Sequence, residues 1–342
     1  MEIVMENPDK PVTTSLLYYI NEKTKTNYRN AIYLFLSTIY PETKRDTASL
    51  DITGLKYLQE VRNLRNPVID LINAGGTYME KYAPATISLN LFLAISWLDD
   101  NNITLKKRDR QKIFRQLPPS RSIRKEAELT SALFQDIYSE LPDWTQVMLL
   151  MLLASGMRLG EILALKTTDI NWKEERPEIN IRMEITKTKT ARTTYLTTEA
   201  AAALKSYLET RKTNTPLLFP QNQTRAEFYM RKAADKTGHG NPNGKLREVH
   251  WHMTRKWFIS RFSLYASKEV AEELAGHEGY LSKSYQRFTK EQILEQYKLA
   301  EKYLTLFPGE NPSADKNTPT YISDEKQILY QYEPSEIRHQ QI

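Results

Sequence analysis

Apolar residues recur at helical spacing through the first third of the chain. Residues 27–36 carry one apolar face, which consists of Tyr28, Ala31, Ile32, Phe35 and Leu36. Residues 86–98 repeat the pattern behind a helix start signal at Pro84, and their face consists of Ile87, Leu91, Ala94, Ile95 and Leu98. Strand-like alternation does not occur in this region. Residues 14–117 are therefore predicted to form a small all-α domain.

A longer region of mixed pattern follows. Prolines at 118 and 119 predict a linker over residues 118–127, before a second domain over residues 128–305. Residues 144–153 are strongly apolar, which is typical of a buried helix. Further helices are expected over residues 158–165, 198–212, 225–237, 253–264, 268–275 and 291–304.

Residues 179–185 alternate apolar and polar side chains with period two, which predicts a β-strand. Residues 193–196 are its expected partner, so residues 186–192 become the tip of a hairpin. The predicted fold class is mainly α with a small antiparallel β-sheet, in an all-α domain followed by an α+β domain.

The two ends of the chain lack periodicity. Residues 1–13 are predicted to be a flexible N-terminus, and residues 306–342 a polar tail. Because the helix at 291–304 carries an apolar stripe, we expect either this helix or the tail to dock on a neighbouring protomer.

The overall composition excludes several classes of protein. The longest apolar run covers residues 147–154, too short for a membrane-spanning helix, and the mean hydropathy is −0.59. No signal peptide is visible at the N-terminus. The absence of cysteine removes disulfides and thiolate chemistry, and it is compatible with a cytoplasmic protein.

The net charge of +6 is unevenly distributed. Residues 106–125 hold nine Lys or Arg and a single anion, Asp109. Such a density favours binding to a polyanion, because each cation that neutralises a phosphate releases a counterion. The candidate DNA-binding residues are Lys106, Lys107, Arg108, Arg110, Arg121, Arg124 and Lys125, together with Lys189 on the hairpin.

Candidate phosphate ligands lie at two helix starts. Arg158 follows Gly156 at the beginning of a predicted helix, where a guanidinium can grip a phosphate, and Glu161 is spaced to orient it. His252 and Arg255 are three residues apart and share a helix face.

The remaining candidates follow or precede these in the chain. His277 comes directly after a glycine that caps a helix, where an imidazole can donate to a phosphate oxygen or relay a proton. Tyr285 is the candidate nucleophile, with Tyr280 as its nearest rival. Lys187 or Lys189, on the hairpin, can protonate a leaving oxygen.

Together these residue types fit transesterification of a phosphodiester, which needs donors for the non-bridging oxygens, a nucleophile and an acid for the leaving group. Asp99 and Asp100 form the one close acidic pair that draws attention, and they lie in the helical region. No Walker A or Rossmann glycine pattern occurs. We therefore expect no cofactor and no metal.

With these residues in place, the sequence resembles the tyrosine recombinases of the phage-integrase family, in particular the archaeal integrase-like and Xer-like members. The resemblance covers residues 14–305. It rests on residues 154–169 around Arg158, on the Thr-Lys-Thr-Lys hairpin with Arg192, on His252-Met-Thr-Arg255, on Gly276-His277 and on the Ser-Tyr-Gln-Arg context of Tyr285. Residues 25–29 resemble the core-binding domain of that family.

The resemblance implies a SAM-like core-binding domain followed by a catalytic domain. It also implies cleavage through a 3′-phosphotyrosyl intermediate, strand exchange through a Holliday junction, and a homo-tetramer on two double-stranded DNA sites in the nucleoid. The implied catalytic residues are Arg158, Lys187, His252, Arg255, His277 and Tyr285. The alternatives are an inactive DNA-binding regulator and a type IB topoisomerase or telomere resolvase.

Overall fold

The computed structural model describes residues 10–119, 127–240, 248–277 and 288–309. The chain divides into two compact units, with the boundary between residues 123 and 124. Three predicted segments lie wholly or partly outside the described residues. They are residues 1–9 of the N-terminus, residues 120–126 of the linker and residues 310–342 of the tail.

The N-terminal unit is helical throughout its described part. Prolines occupy the first helical position of three of its helices, where a missing N–H is harmless. Its helices are α1 (Pro11–Leu17), α2 (Glu22–Ile39), α3 (Thr47–Arg62), α4 (Pro67–Met79), α5 (Pro84–Asp100) and α6 (Lys107–Arg115).

The core of this unit confirms both apolar faces read from the sequence. All five residues of the α2 face and all five of the α5 face are buried. The Tyr28 hydroxyl donates to an Asp100 carboxylate oxygen at 2.5 Å, and Asp99 accepts from Arg110 at 2.6 Å. The acidic pair therefore holds helices together within this unit.

The start of the chain is ordered earlier than predicted. Asp51 accepts the backbone N–H of Val12 at 2.8 Å and of Thr13 at 2.9 Å, which fixes the first turn of α1. The prediction that the flexible N-terminus extends to residue 13 is therefore wrong for residues 11–13.

Half of the basic stretch is a helix. Ile113 on α6 is fully buried and anchors the helix to the core, while Lys106, Lys107 and Arg108 are exposed. Arg110 is engaged by Asp99, so it is the least available of the predicted DNA-binding residues on this helix.

The C-terminal unit surrounds one apolar helix, α8, of which all residues from Val147 to Ser155 are buried. Its helices are α7 (Ser131–Ser139), α8 (Asp143–Ser155), α9 (Leu159–Leu163), α10 (Thr198–Thr210), α11 (Gln223–Lys236), α12 (His252–Tyr265), α13 (Lys268–Ala275) and α14 (Lys290–Leu304). Its strands are β1 (Ile170–Asn171), β2 (Glu178–Ile181) and β3 (Arg192–Tyr195).

The three strands form an antiparallel sheet in the order β1-β2-β3, with Ile181 opposite Arg192. The fold class predicted from the sequence is thereby confirmed. The strand predicted to reach residue 185 is wrong in its second half. Arg182 donates to Asp169 at 3.0 Å and to the Ala164 carbonyl at 3.0 Å, and the chain leaves the sheet in a 3₁₀ turn over Met183–Ile185.

Helix α14 packs on its own unit. The buried Tyr297 hydroxyl donates to the carbonyl oxygens of Ala154 (2.9 Å) and Tyr195 (3.2 Å). The apolar stripe of α14 is therefore packed against its own unit. An exposed stripe was the reason to expect this helix to dock on a neighbouring protomer, and that reason no longer holds.

The chain also stays attached beyond this helix. Glu199 accepts the backbone N–H of Leu306 at 2.9 Å and of Phe307 at 2.7 Å, and Leu306 is fully buried. The predicted tail therefore does not begin at residue 306. Within the described ranges, no helix is long and apolar enough to cross a membrane.

Candidate active site

Arg158 is placed by a tight turn between α8 and α9. Helix α8 ends at Gly156, whose φ of 65° is left-handed, and a Cβ there would lie 2.4 Å from Cδ1 of Phe258. Arg158 then caps α9. Its backbone N–H donates to Glu161 Oε2 at 2.8 Å, and its Nη1 donates to Oε1 at 3.0 Å. The orienting contact expected between these two residues is therefore present.

Arg255 approaches the same turn from α12. Its side chain is only 3% exposed, and its Nη1 donates to the Gly156 carbonyl at 2.9 Å. Burial, reinforced by the positive charges of Arg158 and Arg192, lowers the pKa of the Arg255 guanidinium to about 10. Its Nη2 has no partner within the described part of the chain. A further hydrogen-bond acceptor at Nη2 would satisfy that group.

The C-terminus of α13 meets both arginines. Gly276 has a left-handed φ of 67° and donates to the Glu273 carbonyl at 3.0 Å, while the His277 N–H donates to the Glu272 carbonyl at 2.8 Å. These two bonds form a Schellman cap, as the glycine predicted. The His277 side chain is 59% exposed, with Nδ1 3.9 Å from Glu272 Oε1.

Three successive carbonyl oxygens at this helix end each accept a hydrogen bond from a different arginine. Helix C-termini carry unpaired carbonyls and partial negative charge, which suits guanidinium groups. In chain order, Leu274 accepts from Arg192 Nε (3.0 Å), Ala275 from Arg255 Nη1 and Gly276 from Arg158 Nη2 (3.1 Å).

Arg192 was not among the predicted catalytic residues. Its Nη1 and Nη2 donate to the two carboxylate oxygens of Glu161, at 3.1 and 2.6 Å. Burial alone raises the pKa of the Glu161 carboxyl, but the bonds and charges of Arg192 and then Arg158 outweigh it, so this pKa lies below its ordinary value of 4.5. We call Arg158, Arg192, Arg255 and Glu161 the arginine cluster.

The predicted phosphate ligands share one cavity. It has a volume of about 480 Å³ and is lined by Arg158, His252 and Arg255 among others. His250 also lines it, with its ring parallel to that of His252 and the ring centres 6.3 Å apart. Three of the predicted residues, which come from two separate parts of the sequence, are therefore brought together.

The other predicted residues are not placed in this cavity. Lys187 and Lys189 are exposed on the segment that joins β2 to β3, and neither belongs to the cavity wall as described. Tyr285 and its rival Tyr280 lie outside the described residues, as do Arg121, Arg124 and Lys125.

The described arrangement is suited to holding an anion. The arginine cluster has three guanidinium groups and one carboxylate, which leaves a net charge of +2. Arginine pairs with phosphate oxygens through two parallel hydrogen bonds. A phosphodiester in the cavity would meet Arg158 and Arg255 together with an imidazole.

Comparison with known proteins agrees with this chemistry. Residues 125–292 match the model of the phage integrase family. None of the curated proteins matches the sequence significantly.

Several solved structures resemble the chain. A lambda integrase dimer bound to a COC′ core site has a TM-score of 0.55 at 14% identity, covering 83% of this chain and 97% of the other. A lambda integrase tetramer bound to a Holliday junction gives 0.55 at 14%, covering 82% and 79%. The Tn1549 transposon integrase with transposon right-end DNA gives 0.53 at 13%, covering 78% and 98%. At such identities the likeness is one of fold.

Proposed function

Because residues 125–292 belong to the phage integrase family of tyrosine recombinases, we propose that the protein is a site-specific recombinase that cleaves and rejoins DNA through a 3′-phosphotyrosyl intermediate. The observation that carries the proposal is the meeting of Arg158, His252 and Arg255 around one cavity, beside the positive surplus of the arginine cluster.

In the proposed reaction, Arg158 and Arg255 bind the non-bridging oxygens of the scissile phosphate and stabilise the charge that develops on them. The Tyr285 oxygen bonds to phosphorus while the bond to the 5′ oxygen breaks. His277 accepts the phenol proton and passes it to solvent, and Lys187 protonates the leaving 5′ oxygen and regains its proton from solvent. Rejoining is the reverse of these steps.

The proposal includes the partners that such chemistry requires. The solved structures with similar folds include complexes with core-site DNA and with a Holliday junction. By analogy we propose that this protein forms a homo-tetramer on two double-stranded sites and acts on DNA in the nucleoid of the cytoplasm, for integration, excision or dimer resolution.

A covalent adduct tests the nucleophile. A bound sequence is first selected from duplexes with a random central segment, and the selected duplex is then nicked near its centre so that cleavage becomes irreversible. We expect wild-type protein and Tyr280→Phe to form a denaturant-resistant protein–DNA adduct, and Tyr285→Phe to form none.

Other outcomes identify the alternatives. Sequence-specific binding without an adduct would indicate an inactive DNA-binding regulator. Relaxation of supercoiled DNA without exchange between two sites would indicate a topoisomerase. An adduct that survives in Tyr285→Phe would exclude this tyrosine as the nucleophile.

A substrate with sulfur in place of the bridging 5′ oxygen shows whether Lys187 or Lys189 is the acid that protonates the leaving group. A thiolate leaves without protonation, because a thiol has a pKa of about 8.5. We expect Lys187→Ala to cleave the ordinary duplex about 100-fold more slowly and to regain the wild-type rate on the sulfur substrate. Lys189→Ala, the matched control, is expected to show the same rate relative to wild type on both duplexes at saturating protein. A reversal of the two variants would assign the acid to Lys189.

A further inference from the structure

Arg192 links parts of the site that are distant in the sequence. It lies 31 residues from Glu161 and 82 residues from Leu274, and it bonds to both. We propose that Arg192 is a positioning residue, which fixes the end of α13 and, through that helix end and Glu161, the two phosphate-binding arginines and His277. This inference rests on the proposed recombinase function.

Arg192 is not among the residues that line the cavity, whereas Arg158 and Arg255 are. All three of its nitrogens donate within the protein: Nε to the Leu274 carbonyl, and Nη1 and Nη2 to Glu161. The side chain is only 9% exposed. Arg192 therefore acts on other groups of the protein rather than on a ligand in the cavity.

The helix end that Arg192 holds is shared by the whole cluster. The next two carbonyls, of Ala275 and Gly276, accept from Arg255 and Arg158. A shift of this helix end would move both acceptors and the following His277 together. Because a displacement of about 1 Å in a site can slow a reaction about 100-fold, a contact of this kind is expected to control rate.

The competing explanation is that Arg192–Glu161 is an ordinary internal ion pair that serves only stability. The same unit contains a suitable comparison. Arg182 also donates to a buried carboxylate, Asp169, and to a backbone carbonyl, that of Ala164, but both partners lie outside the arginine cluster. Substitution of Arg182 therefore reports the effect of losing such a pair away from the site.

The test compares Arg192→Lys with Arg182→Lys. Lysine keeps the positive charge but cannot form the paired bonds of a guanidinium. Adduct formation is measured on the selected nicked duplex under single turnover at saturating protein, with DNA affinity and thermal unfolding measured in parallel. We expect Arg192→Lys to cleave about 100-fold more slowly with unchanged DNA affinity, and Arg182→Lys to cleave at the wild-type rate.

A second variant keeps the proposal testable if Arg192→Lys does not fold. Glu161→Gln preserves the shape of the cluster while weakening the same paired contact, and we expect about a 10-fold slower cleavage. The double variant is expected to be slower than Arg192→Lys by less than about 10-fold, because the two residues share one contact although Glu161 also accepts from Arg158.

The outcomes distinguish the inference from the function on which it rests. Wild-type cleavage by folded Arg192→Lys, or by Glu161→Gln if the lysine variant does not fold, would overturn the positioning role and leave the recombinase proposal intact. Equal slowing of Arg192→Lys and Arg182→Lys would also overturn it, because the effect would then be general. Absence of an adduct with wild-type protein would overturn both.

Discussion

The ratio of arginines to carboxylates differs between the two units of the chain. Anions outnumber the cation around Arg65 in the N-terminal unit, and cations outnumber the anion in the arginine cluster of the C-terminal unit. Arg65 donates to Glu60 at 2.6 Å and to Asp70 at 2.8 Å, so one cation meets two anions. It also lies over the ring of Tyr57, 5.4 Å from the ring centre. The arginine cluster has three guanidinium groups and the single carboxylate of Glu161, which accepts from Arg158 and Arg192, while Arg255 donates to backbone carbonyls.

The charge of Arg65 is compensated within the protein, whereas the arginine cluster keeps a surplus of positive charge that an anionic ligand can neutralise. Hydrogen bonding to Asp70 raises the pKa of the Arg65 guanidinium above its ordinary value, whereas burial lowers that of Arg255 to about 10. A group whose charged form is disfavoured by its surroundings gains most from an incoming anion. The four predictions below test this contrast.

The largest effect is expected for Arg255→Met. Because we propose that Arg255 binds the scissile phosphate, its loss is expected to slow adduct formation by about 1,000-fold. Stability should change little, because removing a desolvated cation offsets the loss of its two carbonyl contacts. Single-turnover cleavage and thermal unfolding measure the two effects. A melting temperature lowered as far as in Arg65→Met would contradict the contrast.

The next effect is expected for Arg65→Met in the N-terminal unit. This substitution leaves Glu60 and Asp70 without their shared cation, and we expect a loss of about 2 kcal/mol in the free energy of unfolding. The midpoint of urea denaturation, followed at the transition of this unit, measures it. The double variant Arg65→Met/Asp70→Asn removes one of the two charges and should recover part of the loss.

A smaller effect is expected from inorganic sulfate. Because the arginine cluster has a net charge of +2, sulfate at about ten times its dissociation constant should stabilise the unit by about 1.4 kcal/mol, or about 3 °C in melting temperature. The matched control is Arg255→Met in the same salt, which corrects for the general effect of sulfate. Equal shifts in both proteins would show that the cluster does not bind the ion.

The smallest effect is expected from pH. The pKa of Glu161 is lower in the folded protein than its ordinary 4.5, because the bonds from Arg192 and Arg158 outweigh its burial. Its ionised form therefore stabilises the fold fully above about pH 4.5, and this contribution is lost as the pH falls through the folded-state pKa. The stability difference between wild type and Glu161→Gln should be constant from pH 7 to about 4.5 and shrink below it. A difference that does not vary with pH would contradict this.

Local features of the fold and of the site were predictable from the sequence. The face of α5 followed from periodicity, and α13 was predicted with the bounds that it has, Lys268–Ala275, because a glycine marks its end. His252 and Arg255 share a helix face by spacing alone. Each of these inferences uses residues only a few positions apart.

The assembly of the cluster was not predictable in this way. The contact of Arg158 with the Gly276 carbonyl spans 118 residues, and no local pattern encodes it. The end of β2 was missed for the same reason, since Arg182 leaves the sheet to reach Asp169, 13 residues earlier. Arg110 was assigned to DNA from charge density, although its partner, Asp99, is 11 residues away in the same unit.

Gly276 has a consequence for how this sequence can change. A Cβ at this position would lie 2.7 Å from Nε of Arg192, in addition to the strain of a left-handed φ. Substitution of either residue alone therefore disturbs the other. In related sequences the two positions should vary together, and a larger residue at 276 should be accompanied by a shorter one at 192. Such covariation would show that the close contact between Gly276 and Arg192 limits which residues both positions accept.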